Sequence, residues 1–224
     1  RCKGYKGPIH ISPNGVDVDL FRRRDARALR ERLGLGGSFV IGYVGRLVRM
    51  KGVHVLIEAA SKLDFDWKLL ILGRGDYRAE LERLAEGLGV SGRIVWVDAV
   101  PAVEVPNYMS CMDVLVLPSL STPEWVEFFG RVLIEAMACE VPVIGSSCGE
   151  IPSVVGDAGL IFREGDPEDL AAKIEAVWGS PPLREELRLK GLRRARERFS
   201  WERIAEGTVR AYEELIRARR KKQR

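Results

Sequence analysis

Two glutamates, eight positions apart, are the residues best suited to bind a polar ligand. Glu135 lies inside an apolar run, between Ile134 and Ala136, where a carboxylate is costly unless a partner pairs with it or hydrogen-bonds it. Glu127 stands ahead of the same run, close to the start of a predicted helix. At a helical rise of about 1.5 Å per residue the two carboxylates lie ~12 Å apart, too far for a paired acid and base. We therefore expect them to hold two parts of one long polar ligand.

A purely structural interpretation fits the same spacing. Glu135 can pair with an arginine, and Glu127 can be favoured simply because carboxylates stabilise the first turn of a helix. Spacing alone leaves both interpretations open.

A basic loop follows the first predicted strand, with the sequence Gly45-Arg46-Leu47-Val48-Arg49-Met50-Lys51-Gly52. It matches neither the dinucleotide fingerprint nor the P-loop. It does place Arg46 and Lys51 at the start of a helix, whose free N–H groups favour an anion. Two fixed cations there can hold a diphosphate without a metal ion. A solvated basic loop is the alternative.

Two further loops are candidates for ligand contacts. Gly73-Arg74-Gly75 follows the second strand and lets a planar group approach the backbone, although an ordinary tight turn explains it equally well. The loop from Pro118 to Phe128 is long and carries Trp125, which is either a lid contact or an anchor that packs on the domain.

No metal site is predicted. Asp17-Val18-Asp19 and Asp64-Phe65-Asp66 match a triplet that some sugar transferases use to hold a metal ion. Such triplets arise easily by chance in a chain with 32 acidic residues, and neither of these ends a strongly apolar strand. We expect no cofactor, and no metal requirement.

Composition indicates a globular protein of the cytoplasm. The chain has 224 residues, 46% hydrophobic and 30% charged, and its net charge of +4 gives no reason to expect nucleic acid as a partner. No apolar run reaches the ~20 residues that span a bilayer. The cysteines show no metal-binding spacing and favour a reducing compartment; they are Cys2, Cys111, Cys139 and Cys148. Because the chain has neither an initiator Met nor a signal peptide, we expect a fragment or an excised domain.

Strands and helices alternate from Ser38 onward. The predicted strands are 39–44, 67–72, 93–97, 113–117, 141–145 and 159–162, and the predicted helices cover about 25–33, a segment from 53, 77–88, 102–111, a segment from 129, and three helices after Asp166. Strands this apolar are buried on both faces, which is typical of a parallel sheet covered by helices. The prediction is an α/β, doubly wound Rossmann-like domain, whose ligand binds at the carboxyl ends of the strands.

Three features together resemble a known family. They are Arg46 with Lys51-Gly52, Glu127-x7-Glu135 around Phe129-Gly130, and Cys148-Gly149-Glu150-Ile151-Pro152. The set resembles the C-terminal, donor-binding domain of GT-B glycosyltransferases in the large retaining family 4. The segment from Phe129 to Cys139, followed by Val141-Pro142-Val143, is its most specific part, and the likeness runs from about Ile9 to Tyr212.

The resemblance implies a role for each matching residue. Arg46 and Lys51 neutralise the donor diphosphate and its developing charge, and Glu127 binds hydroxyls of the donor sugar. Glu135 holds the ribose hydroxyls. The remaining implied contacts are made by backbone near the base or the sugar, at Gly45, Gly73, Val100, Phe129, Gly130 and Arg131. In such enzymes the departing phosphate assists attack on its own face.

The resemblance also implies partners. They are a nucleotide-sugar donor, a glycan or lipid-linked acceptor, and an N-terminal acceptor-binding domain, which we expect to lie outside this sequence. We divide the chain into a lead-in (1–37), a nucleotide-sugar-binding domain (38–200), and a crossing helix with a basic tail (201–224). The tail is predicted to be disordered from Arg217. A solvated tail is the favoured interpretation, and a peripheral contact with the inner face of a membrane is the alternative.

The sequence departs from the family pattern at Glu140, where glycine is usual and φ is expected to be positive. Phe128 and Arg131 also differ from the commonest residues, which leaves the donor sugar open. Two other classes remain as alternatives: a nucleotide-sugar epimerase of the same architecture, and a non-catalytic nucleotide-binding module.

Overall fold

The computed structural model describes residues 9–222 and contains one six-stranded sheet. Its strands are β1 (Phe39–Val44), β2 (Trp67–Leu72), β3 (Ile94–Val97), β4 (Val114–Leu117), β5 (Val143–Ser146) and β6 (Gly159–Phe162). They are all parallel and lie in the order β3-β2-β1-β4-β5-β6. The predicted doubly wound Rossmann-like fold is confirmed, and the strand order reverses between β1 and β4.

Helices cover both faces of this sheet. They are α1 (Arg27–Arg32), α2 (Val53–Ala60), α3 (Arg78–Gly87), α4 (Val105–Met109), α5 (Arg131–Ala138), α6 (Ile151–Val155), α7 (Pro167–Gly179), α8 (Pro181–Arg198) and α9 (Trp201–Lys222). Short 3₁₀ turns precede α2 and β3.

The strands separate two hydrophobic cores. Ile41 packs in the core formed with α2, α3 and α7, whereas its neighbour Val40 packs in the core formed with α5, α6 and α8. Successive residues of a strand point to opposite faces of the sheet, and because helices cover both faces, both side chains are fully buried. Burial on both faces explains the continuous apolar runs that predicted the strands.

The described part of the lead-in packs on the second core. Val16 and Phe21 are buried there, and the Val16 N–H donates to the Phe199 carbonyl at 2.7 Å. Val16 also forms an isolated parallel bridge with Ser200, where α9 begins. The proposed three-part division of the chain stays a prediction.

Two helix boundaries differ from the predicted ones, and one helix has no predicted counterpart. The helix after Phe129 begins at Arg131, because Gly130 has a left-handed φ of +80° and ends the preceding loop. The helix expected at 102–111 covers only Val105–Met109. A helix at Ile151–Val155 was not predicted, since five residues are too few for a periodic pattern.

Helix α9 runs further than predicted, through residues placed in a disordered tail. It continues to Lys222 because arginine and lysine are good helix formers and suit the C-terminal end of a helix dipole. The helix exposes several large apolar side chains, namely Trp201, Val209, Tyr212, Leu215 and Ile216. No helix among the described residues is long and apolar enough to cross a membrane.

Glu140 holds the unusual backbone conformation expected at this position. Its φ is +60°, and among the described residues it is the only one other than glycine with positive φ. Its carboxylate pairs with Arg188, which also binds Glu185. The ion pair therefore ties a strained turn at the end of α5 to α8.

We expect Glu140→Gly to be more stable than Glu140→Ala by about 1 kcal/mol, because only alanine retains the left-handed strain. Both variants lose the Arg188 ion pair, so their difference isolates the backbone effect. Urea unfolding followed by circular dichroism measures it. Equal stability of the two variants would contradict the strain.

Candidate functional site

The predicted site residues meet at the carboxyl ends of β1 and β4, where the strand order reverses. A cleft of about 480 Å³ opens at this point. It is lined by Asn14 of the lead-in, by the loops after these strands and by α5, including Arg46, Lys51, Glu127, Phe129, Gly130, Arg131 and Glu135. A cleft at this place in a doubly wound sheet is the expected ligand site.

The centre of the cleft is an ion pair between Lys51 and Glu127. The Lys51 Nζ lies 2.5 Å from Glu127 Oε2, and the two side chains are only 15% and 12% exposed. Removing either partner would leave a charge largely shielded from water, which is costly. The pair unites two residues that are 76 positions apart in the chain.

Further hydrogen bonds hold both the side chain and the backbone of Glu127. The buried Ser119 hydroxyl donates to Oε2 at 3.0 Å, and the Glu127 N–H donates to Cys148 Sγ at 3.4 Å. The Glu127 carbonyl accepts from the Glu150 N–H at 2.9 Å. Within residues 9–222, Oε1 has no hydrogen-bond partner, so this oxygen is the acceptor left for a ligand.

Two close backbone approaches join the loops that carry this pair. The Leu120 N–H donates to the Met50 carbonyl at 2.8 Å. Gly52 has a φ of +66°, and a Cβ placed there would lie 1.9 Å from the Pro118 carbonyl oxygen. Only glycine fits this contact, and the loops after β1 and β4 are therefore fixed to each other.

Arg46 presents the second positive charge. Its side chain is exposed at the cleft and forms no ion pair with any residue that the structure describes. Its backbone is fixed, because the fully buried Tyr43 donates its hydroxyl to the Arg46 carbonyl at 2.7 Å. Burial raises the pKa of the Tyr43 hydroxyl, so it remains a donor.

Glu135 meets an arginine, as the structural interpretation of the sequence allowed. Arg131 Nε lies 3.1 Å from Glu135 Oε1, with side chains 70% and 15% exposed. Burial nevertheless raises the pKa of Glu135, and the nearby Arg131 only partly opposes that shift. Because the arginine is largely exposed, this pairing leaves the carboxylate accessible from the cleft.

The backbone at the start of α5 offers hydrogen-bond donors. The N–H groups of Phe129, Gly130 and Arg131 have no acceptor in the described part of the chain. Phe129 itself is fixed by edge-to-face packing on Phe199, with ring centroids 5.7 Å apart. N–H groups at a helix start favour an anion or an electron-rich oxygen.

A second, smaller cleft of about 270 Å³ adjoins the first and shares Val44, Gly45 and Arg46 with it. Gly73 and Val100 also line it, as does Leu72 at the end of β2. Its walls are mostly apolar, which suits a flat ring such as a nucleobase.

The structure thus brings all ten predicted site residues to two adjoining clefts. Those of the larger cleft are Gly45, Arg46, Lys51, Glu127, Phe129, Gly130, Arg131 and Glu135, and those of the smaller are Gly45, Arg46, Gly73 and Val100. Their binding roles stay predictions. Sequence reasoning did not find Tyr43 or Ser119, which act on the site from buried positions that look like ordinary core, and it quoted Cys148 in a motif without giving it a role. No motif marks Tyr43 or Ser119.

The two Asp-x-Asp triplets have structural contacts. Asp17 Oδ1 accepts from the N–H groups of Asp19 and Leu20 in a turn, and Asp66 Oδ2 accepts from the Ser38 hydroxyl. Among the described residues, no group of three or more His, Cys, Asp or Glu could hold a metal ion.

This chain is similar in sequence and in structure to several known proteins. The D-inositol 3-phosphate glycosyltransferase of Geodermatophilus obscurus is 34% identical over 217 residues, which cover 90% of this chain and 46% of that protein. Sucrose-phosphate synthase from Thermosynechococcus elongatus superposes with a TM-score of 0.79 and 30% identity, covering 93% of this chain and 53% of that one. HepE from Anabaena, in complex with UDP and glucose, gives a TM-score of 0.80 and 25% identity over 91% of this chain and 55% of that one.

The chain spans about half the length of the curated relatives it matches. The model of the family described as "Glycosyl transferases group 1" matches residues 25–194. That match covers most of the chain, including the loops and helix that build both clefts. The predicted GT-B relationship is confirmed, whereas assignment to retaining family 4 stays a prediction. This chain belongs to the group 1 glycosyltransferases.

Proposed function

We propose that this chain binds a nucleotide sugar and forms the donor-binding part of a retaining glycosyltransferase. The enzyme would move the sugar to a glycan or lipid-linked acceptor in glycan or polysaccharide biosynthesis. The observation that carries the proposal is the single cleft in which Arg46 and Lys51 lie beside Glu127 and Glu135. Two cations with two carboxylates suit a ligand that has both a diphosphate and hydroxyl groups.

Each group has a task in this proposal. Arg46 and Lys51 neutralise the diphosphate, and the free N–H groups from Phe129 to Arg131 bind oxygens of the phosphate or sugar. Glu127 accepts a hydrogen bond from a sugar hydroxyl through Oε1, the oxygen that Lys51 and Ser119 leave free. Glu135 accepts from the ribose hydroxyls, and the base lies in the apolar cleft beside Gly73.

The chemical step follows from the leaving group. The bond from the anomeric carbon to the phosphate oxygen breaks, and its electron pair stays on the diphosphate. An acceptor hydroxyl attacks from the same face and gives its proton to the departing phosphate. The fixed charges of Arg46 and Lys51 are strongest in effect at this point, because the diphosphate then carries the most negative charge.

The acceptor would be bound between this domain and a second one. The exposed apolar residues of α9, among them Val209 and Tyr212, support a further proposal that this helix packs against an acceptor-binding domain. The basic end of the same helix would meet anionic lipid at the membrane surface.

Titration calorimetry with UDP, GDP and ADP tests the donor site directly. Binding of at least one diphosphate is expected, with UDP the first candidate because HepE was solved with UDP and glucose. No binding of any diphosphate would overturn the proposal. This chain alone should transfer no sugar at a useful rate, because the acceptor would be bound against a second domain. In a longer protein that also carries that domain, analysis of products from a labelled nucleotide sugar separates transfer from epimerisation, since an epimerase returns an altered donor and transfers nothing.

Glu135→Gln should weaken diphosphate binding by about 10- to 100-fold, the effect of losing hydrogen bonds to a charged group. The substitution should not lower the free energy of unfolding. Because the pKa of Glu135 is raised in the folded state, its contribution to stability is present at low pH and is lost as pH rises through that pKa.

The free energy of unfolding of Glu135→Gln relative to the parent should therefore increase from acid to neutral pH. Urea titrations at several pH values measure this, and calorimetry measures affinity. A variant that binds normally but unfolds more easily would assign Glu135 to the fold alone.

Diphosphate binding should survive EDTA and fall about 10- to 100-fold in Arg46→Ala or Lys51→Ala, because these side chains replace a divalent ion. Arg49→Ala is the matched control, since this exposed arginine of the same loop does not line the cleft. An equal loss in the control, or loss of binding on chelation, would contradict the assignment.

A further inference from the structure

Besides its ion pair with Glu127, Lys51 contacts the ring of Trp125. The face of the Trp125 ring covers its ammonium group, with Nζ 4.8 Å from the ring centroid. An ammonium over an indole is attracted by the negative face of the ring, and the attraction grows as water is excluded. At 15% exposure, the Lys51 side chain is largely shielded from water.

The loop that carries Trp125 is closely restrained. A tight turn joins Thr122 and Trp125, with N–H to carbonyl bonds of 2.7 and 3.3 Å, and the Thr122 hydroxyl also accepts from the Trp125 N–H at 3.0 Å. On one side of this turn, Ser121 binds the Glu164 carboxylate through both its N–H and its hydroxyl. On the other side, Glu127 is held as described above. The ring is therefore presented to Lys51 by a fixed loop.

The Trp125 ring also packs at the edge of the second core, which agrees with the interpretation of this residue as an anchor that packs on the domain. An anchor alone, however, does not require a cation over its face. Lysine has four rotatable bonds, and holding its ammonium in one place costs side-chain entropy. A carboxylate on one side and an aromatic face on another restrict it before any ligand arrives.

We propose that Trp125 is a positioning residue for Lys51. It holds the ammonium against Glu127, at the place where the phosphate of a ligand would meet it. The holding of Lys51 stands on the contacts alone, whereas the phosphate ligand rests on the proposed function. Trp125 itself touches no reacting atom in this proposal; it acts through Lys51.

Lysine acylation tests the holding of Lys51 without any ligand. An amine-reactive acetylating reagent is used on the parent, Trp125→Leu and Trp125→Phe, and the rate at Lys51 is read by peptide mass spectrometry. Lys62 is the internal reference, because it pairs with Glu168 outside both clefts. We expect Leu to raise the Lys51 rate several-fold and Phe, which keeps an aromatic face, to leave it near the parent's.

The comparison of Leu with Phe separates attraction from simple shielding, since both side chains are smaller than tryptophan. Equal rates in Leu and Phe, or an unchanged rate in Leu, would overturn the proposal. Trp178→Leu is the matched control, because this half-exposed tryptophan stacks on Phe65 and does not line the site; its Lys51 rate should stay unchanged. Trp125→Met replaces Trp125→Leu if circular dichroism shows the latter to be unfolded.

Diphosphate affinity supplies the second measurement. Trp125→Leu should weaken binding of the best diphosphate by about 3- to 30-fold, and should have no further effect in a Lys51→Met background. An additive loss in that background would mean that Trp125 acts independently of Lys51. If the parent binds no diphosphate, the proposed function fails, while the acylation result still decides whether Trp125 holds Lys51.

Discussion

The ion pair between Lys51 and Glu127 is the interaction on which the site depends. It joins the loop after β1 to the loop after β4, across the place where the strand order of the sheet reverses. A largely buried ion pair adds little net stability, because desolvation offsets most of the attraction. Its value lies in geometry: each charge fixes the other, and one carboxylate oxygen stays free to face the cleft.

The surroundings of the pair are consistent with this view. Ser119 and Cys148 are fully buried and hold Glu127, and Tyr43, equally buried, holds the backbone of Arg46. Of these three residues, only Tyr43 lines the larger cleft. The polar groups of Ser119 and Cys148 act on the cleft by fixing Glu127, which lines it. The site is thus organised before a ligand binds, which reduces the entropy that binding would cost.

Sequence reasoning recovered most of the fold because burial on both faces leaves unmistakable apolar runs, as in β1 and β2. It failed where few residues carry the signal: α6 has five residues, and the start of α5 depends on the φ of one glycine, Gly130. The family motif placed the two cations and two carboxylates in one cleft. It did not predict that Lys51 pairs with Glu127 or lies over Trp125, because contacts between distant positions leave no local pattern.

The contact between Val16 and Ser200 ties the lead-in segment to the start of the last helix. The Val16 N–H donates to the Phe199 carbonyl, and the parallel bridge joins Val16 to the residue just before α9. Both residues are buried, so separating them would expose apolar surface and leave a backbone donor without its acceptor. The lead-in and the start of α9 should therefore open together in local unfolding rather than fray one at a time.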